Sequence, residues 1–315
     1  MPSTDFPADR PIRIGTRSSP LALAQAHETR SLLMQTHNLP QDRFEIVKKT
    51  SAGDRIQDKA LRDFGGKGLF TKEIEEALAD DEIDLAVHSM KDVATELPSG
   101  LILPALLERE DVRDAFMSFK APKLMELPQG AVVGTSSLRR QAQVRRLRPD
   151  LHVIDYRGNV QTRLKKLDEG VADATLLANA GLRRLGYEDK ITSLIETNEM
   201  LPAVAQGAIG LQIREDDLQM AALIAPLNHQ ATFDCVMMER TFLGRLDGNC
   251  HTPIAGLARL DGEEISFQGM ILSPDGAQSF ETTRKGPRPD AKKLALDAAD
   301  ELLERAGTDF LTLQS

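Results

Sequence analysis

The 315-residue chain is 41% apolar, enough to build real cores and too much for a disordered chain. Its net charge of −9 argues against general nucleic-acid binding, which favours a basic surface. Two cysteines, Cys235 and Cys250, neither in a CxxC pair, rule out a disulfide framework, and histidines scattered without HExxH give no expectation of a metal.

No apolar run approaches the roughly 18 residues of a membrane span. The N-terminus has no basic stretch followed by an apolar one, so a cytoplasmic protein without a membrane partner is expected. At roughly 100–200 residues per domain, the length suggests two or three domains.

In chain order, residues 11–16 (PIRIGT) read as a strand and 21–37 as a helix. Residues 44–49 (FEIVKK) read as a strand, about 70–79 as a helix, and 84–88 (DLAVH) as a buried strand. This is βαβ alternation, which predicts a mostly parallel, doubly wound sheet. The pattern then restarts with a strand at 131–135 (AVVGT) and a helix at 138–147. A strand at 152–156, a helix at 160–167 and a strand at 174–178 (ATLLA) follow. Two similar α/β units, with a cleft between them, are the expectation. Proline-bearing stretches at 97–104 and 200–202 read as crossovers. Residues 208–213 (AIGLQI) read as one more strand, returning to the first sheet. From about His229 a long helix, short strands at 254–259 and 265–272, and a helix at 290–305 predict a small α+β domain. The expected domains are therefore residues 1–107 with 208–226, residues 108–207, and residues 227–315.

The unusual polar clusters all follow strands: Arg17-Ser18-Ser19, Ser89-Met90-Lys91-Asp92, Ser136-Ser137-Leu138-Arg139-Arg140 and Arg157-Gly158-Asn159. In open α/β sheets, ligands bind outside the carboxyl ends of the strands. A serine there is a natural helix N-cap. Arginine is not explained by capping, because a cation is disfavoured at a helix N-terminus. Between Gly134 and Lys190, twelve Lys/Arg stand against seven Asp/Glu, a basic island in an acidic chain. An anion that offsets the mutual repulsion is implied, and arginine's planar fork suits carboxylates or phosphates. No phosphate loop supports the second. Gly65-Gly66-Lys67-Gly68 lacks the GxxxxGK[ST] spacing, and no GxGxxG opens the first helix. Residues 63–68 (DFGGKG) read instead as a mobile loop, a candidate lid carrying Lys67. Cys235, on a helix, reads as a small buried hydrophobe. Cys250, in the loop LDGNCHTPI, reads as a nucleophile or an attachment point.

These segments together resemble the hydroxymethylbilane synthase (porphobilinogen deaminase) family over nearly the whole chain. The shared motifs are GTRSSPLAL, GGKGLFTKE, HSMKDV, GTSSLRRQ, RGNVQTR, AGLRRLG, the PAVAQGA stretch and GNCHTPI. The resemblance implies two domains like periplasmic binding proteins and a small α+β domain bearing Cys250. It implies a monomer and a dipyrromethane cofactor in thioether linkage to Cys250. Four porphobilinogen units are condensed with loss of ammonia, and linear hydroxymethylbilane is released for tetrapyrrole and haem biosynthesis. Asp92 and Lys91 would be catalytic, Asp92 stabilising an azafulvenium cation as the amine leaves. Ser137, Arg139, Arg140, Arg163 and Arg184, with Lys91 and Asp92, would hold the cofactor. Arg17, Ser19, Arg157, Arg163 and Lys67 would hold substrate. Two positions depart from the family pattern: Asn249 and Ala205 stand where glycine is common. The rival readings are a non-catalytic carboxylate receptor and a cysteine hydrolase using Cys250 and His251. A receptor has no need of a cofactor-bearing thiol.

Overall fold

The computed structural model describes residues 10–50, 70–246, 253–307 and 310. In chain order it begins with β1 (Ile12–Arg17), α1 (Pro20–His37), β2 (Phe44–Lys49), α2 (Lys72–Ala79), β3 (Leu85–Ser89) and β4 (Leu101–Leu106). A second α/β run follows: β5 (Asp114–Ser118), β6 (Val132–Gly134), α3 (Leu138–Leu147), β7 (His152–Ile154), α4 (Val160–Asp168), β8 (Ala174–Ala178), α5 (Asn179–Arg184) and β9 (Ser193–Ile195). The remainder is β10 (Ile209–Arg214), α6 (Leu218–Ile224), α7 (Gln230–Arg245), β11 (Ile254–Asp261), β12 (Glu264–Leu272), β13 (Ser279–Pro287) and α8 (Ala291–Ala306).

Packing divides the chain into two units. The first holds the described residues within Met1–Asp58, Gly66–Glu110 and Ala208–Phe233; the second holds those within Asp111–Gly207 and Asp234–Ser315. The sheet of the first unit runs β2-β1-β3-β10-β4, parallel except for β10. Successive strand residues face opposite sides, and the cores follow that period. Leu85 and Val87 join Ala26 and Leu33 of α1 on one face, while Ala86 joins Ile74 and Leu78 of α2 on the other.

The sheet of the second unit runs β7-β6-β8-β5-β9, again parallel except for one strand, β5. The odd strand occupies the same place in both sheets. Phe116, Ala174 and Leu176 face Val144 of α3, while Ala115, Met117 and Leu177 face Leu167 and Leu182 of α4 and α5. The third sheet is an antiparallel meander, β11-β12-β13. One face packs on α7 and α8 through Phe242, Phe267, Ile271 and Leu302. Its other face, Ala255, Leu257, Met270 and Leu272, packs on Ala142 and Leu201. Covered on both sides, β11 is buried from Ile254 to Ala258.

The α/β class, the repeat and the small terminal domain are as expected; the differences have physical causes. The stretch read as a crossover at 97–104 contains most of β4. Pro104 is tolerated because β4 is an edge strand and its ladder with β10 shifts register between Leu211 and Ile213. Strand β5 escaped the reading because it opens on an aspartate, an unusual start for a fully buried strand. The polar strand β13, SFETTRKGP over Ser279–Pro287, lies at a sheet edge, where half its side chains meet water. Cys235 is buried in the third-sheet core, as read from its helix. The Phe242 and Phe267 rings sit 4.8 Å apart at the centre of that core. We expect Phe242→Ala to destabilise the protein by about 3–5 kcal/mol in urea unfolding.

Candidate active site

In the first unit, the candidate side chains follow the carboxyl ends of the parallel strands β1 and β3. Arg17 closes β1. Its Nη1 reaches Asp92 Oδ2 at 3.4 Å, and its guanidinium lies 4.4 Å from the centre of the Phe70 ring. Ser19 accepts from the Ala22 N–H at 3.3 Å and caps α1. Lys91 and Asp92 lie in a single helical turn, Met90–Asp92, that opens directly after β3. Lys91 is exposed and Asp92 half-buried, its side chain 26% exposed. The turn is fixed from below. The Met90 N–H donates to Ala208 O, and the Met90 side chain fills the space over Gly210, where a β-carbon would lie 2.1 Å from its sulfur. His88 is buried beneath the turn and hydrogen-bonded to Gln212 Oε1 at 2.8 Å. Burial pushes its imidazole down to about 4, so it is neutral at physiological pH.

In the second unit the polar residues follow β6 and β7. Ser137 caps α3 by accepting from the Arg140 N–H, and Ser136 accepts from the Tyr156 N–H at 2.8 Å. Arg139 and Arg140 turn inward, both nearly fully buried. They close on one carboxylate, Asp114 at the start of β5, with contacts of 2.8 and 2.7 Å to its two oxygens. Gln206 donates to the same group at 2.9 Å. Burial alone would raise the Asp114 carboxyl, but the Arg139 and Arg140 charges and the hydrogen bonds from Arg140 and Gln206 hold it well below the usual carboxylate range.

Three further arginines were read from the sequence as ligand-binding. Arg157 follows β7 and is half-buried. Behind it, the Tyr156 ring packs on Gly134, where a β-carbon would lie 2.5 Å from the ring. Arg163 on α4 donates from Nε to Gly158 O at 2.9 Å. Among the described residues, neither of its terminal nitrogens has a protein acceptor. Burial, then the neighbouring Arg140 and Arg157 charges, push its guanidinium down to about 10. Arg184, at the end of α5, donates to Gly207 O at 3.2 Å. The second unit thus brings Arg140, Arg157 and Arg163 into one electrostatic cluster, and Asp114 compensates only part of it. Lys67, Asn249, Cys250, His251 and the candidate lid at 63–68 lie outside the described residues.

The chain's sequence agrees with this chemistry. The model for "Porphobilinogen deaminase, dipyromethane cofactor binding domain" matches residues 12–222, and that for "Porphobilinogen deaminase, C-terminal domain" matches residues 233–304. The chain belongs to the porphobilinogen deaminase family. Porphobilinogen deaminases of Nitrobacter winogradskyi and Nitrobacter hamburgensis are each 57% identical to it over 300 residues, 95% of this chain and 95% of theirs. That of Paracoccus denitrificans is 55% identical over 95% of this chain and 96% of its own. A periplasmic substrate-binding protein of Coxiella burnetii superposes with a TM-score of 0.44 at 13% identity, covering 70% of this chain and 94% of its own.

For a porphobilinogen deaminase, the residue that sequence reading missed is Asp114. It lies in the run EREDVRD, which reads as a solvated charged surface. Its signal was the mismatch between that charge and the apolar AFM that follows. Asn in its place would leave two buried guanidiniums facing an amide, so Asp114→Asn should cost about 3–5 kcal/mol in urea unfolding. Its folded carboxyl is depressed, so its contribution is complete above the ordinary carboxylate range near pH 4 and is lost as pH falls below it. The acid limb of the stability curve should therefore flatten in Asp114→Asn.

Proposed function

We infer that this chain is a hydroxymethylbilane synthase, a transferase that condenses four porphobilinogen molecules with loss of ammonia and releases the linear tetrapyrrole. The observation that carries the reading is the second-unit cation cluster. Among the described residues, a half-buried Arg163 whose terminal nitrogens have no protein acceptor stands beside Arg140 and Arg157, with the buried Asp114 carboxylate against Arg140. Such a cluster fits a dipyrromethane, which carries acetate and propionate groups, and the matched family domain is described as binding that group. Cys250 would hold it in thioether linkage, and when bound it supplies the nucleophilic pyrrole carbon on which the chain grows. Ser137, Arg139, Arg140, Arg163, Arg184, Lys91 and Asp92 are proposed to contact it.

Arg17, Ser19, Arg157, Arg163 and Lys67 are proposed to hold the carboxylates of porphobilinogen. Ser19 and Ser137 already use their oxygens as caps, so their hydroxyl hydrogens remain to donate to a carboxylate. Asp92 is the catalytic carboxylate. Arg17 orients it from one side, and it stabilises positive charge on the pyrrole ring as the amine leaves. Lys91, exposed beside it, supplies a cation to the substrate side chains. The neutral His88 beneath adds no charge that would oppose this. Among the described residues no helix is long and apolar enough to cross a membrane; a cytoplasmic monomer is proposed from the family resemblance. A receptor reading is not favoured, because relatives matched over 95% of the chain are named as deaminases.

Intact mass spectrometry tests the assignment. We expect a mass excess of one covalent dipyrrole on the active protein, absent from Cys250→Ser; active protein at its bare mass would refute it. Arg163→Gln should raise KM for porphobilinogen about ten-fold or more, the loss expected for a charge-assisted hydrogen bond. Asp92→Ala should keep substrate affinity and lose turnover, measured by calorimetry and by ammonia release.

A further inference from the structure

In the second unit, the segment 202–207 runs along the outer edge of β11. The Gly256 N–H donates to Pro202 O at 3.1 Å, an ordinary strand-edge bond. Two residues further along β11 and three further along the segment, no such direct bond forms. Ala205 and Ala258 both present N–H groups, and two donors cannot bond each other. Glu239 of α7, fully buried, lies between them. One carboxylate oxygen accepts from the Ala205 N–H at 2.6 Å and the other from the Ala258 N–H at 2.8 Å.

The turn that Glu239 holds is strained. The Gln206 N–H closes on Ala203 O, and Ala205, third in that turn, has a φ of +60°. That conformation favours glycine, and a side chain raises its energy. The turn leads straight to the arginines. Gln206 donates to Asp114, the counter-ion of Arg139 and Arg140, and Gly207 O accepts from Arg184. We propose that Glu239 is a positioning residue: its carboxylate clamps the strained Ala205 turn, and the turn sets the orientation of Asp114 and Arg184. Glu239 touches neither substrate nor cofactor in this role. It acts only through the turn, and it makes the grip of the arginines depend on α7. The proposal rests on the reading of Arg184 and the Asp114-held arginines as carboxylate binders.

Glu239→Gln is the informative substitution, because the shape is kept and one acceptor becomes a donor facing an N–H. Steady-state kinetics on cofactor-loaded protein should show KM for porphobilinogen raised about three- to ten-fold, with kcat changed less, the range expected for residues coupled through a shared backbone segment. Ala205→Gly removes the strain and lessens the need for the clamp. In the Glu239→Gln background it should bring KM most of the way back, and its effect on KM there should exceed its effect in the parent. A clamp that merely stabilises the fold would instead give equal, additive changes in melting temperature with no recovery of KM. If Glu239→Gln yields no folded protein, the double variant should fold and bind substrate; its failure to fold overturns the proposal. Arg184→Gln separates the two levels. No KM rise there refutes the binding reading and the clamp with it, whereas a rise there without one in Glu239→Gln refutes the clamp alone.

Discussion

The second unit is organised around one buried carboxylate shared by two guanidiniums. Asp114 is fully buried, and so nearly are Arg139 and Arg140. Taking three charges out of water is costly, and such a group survives only where hydrogen bonds complete it. Gln206, Leu176 O and Leu201 O supply most of these, while the buried Arg139 Nε has no hydrogen-bond partner among the described residues. The result fixes the start of α3 against β5 and leaves one positive charge in excess. That excess reaches outward, through Arg140, to Arg157 and Arg163. In the proposed function, such a potential receives carboxylates with little reorganisation on binding.

Two carboxylates therefore stand in different environments, which suit them to different work. Asp114 is sealed among cations and hydrogen-bond donors and acts as a structural counter-ion. Asp92 sits in a short turn at the end of β3, a quarter of its side chain exposed, with a single arginine at 3.4 Å. Its partner is distant enough to orient it without consuming it. A carboxylate so held can meet a cation that develops on a substrate. Both sit beside five-stranded sheets with an odd antiparallel strand in the same place, so similar scaffolds carry different chemistry.

Much of this was legible in the sequence. The strands at 44–49 and 174–178 and the helix at 138–147 have the same bounds in the sequence reading and in the structure, and for the helix Ser137 marks the start. The polar clusters were correctly placed after strands. Their orientation was not legible. Arg139 and Arg140 implied an anion, and the chain supplies part of it itself from Asp114, 25 residues earlier. Such partnerships depend on which strands become neighbours. Strand β5 was hidden because its first residue is that aspartate. Glu239 was equally hidden: on a helix it reads as a surface charge, and only the edge of β11 reveals what its two oxygens hold.

The most direct test is to bind porphobilinogen and an analogue with both carboxylates esterified to the protein, by calorimetry at fixed salt. Recognition by the arginine cluster predicts that the ester loses about 100-fold or more in affinity, as two charge-assisted contacts vanish. Comparable affinity for the two ligands would contradict it.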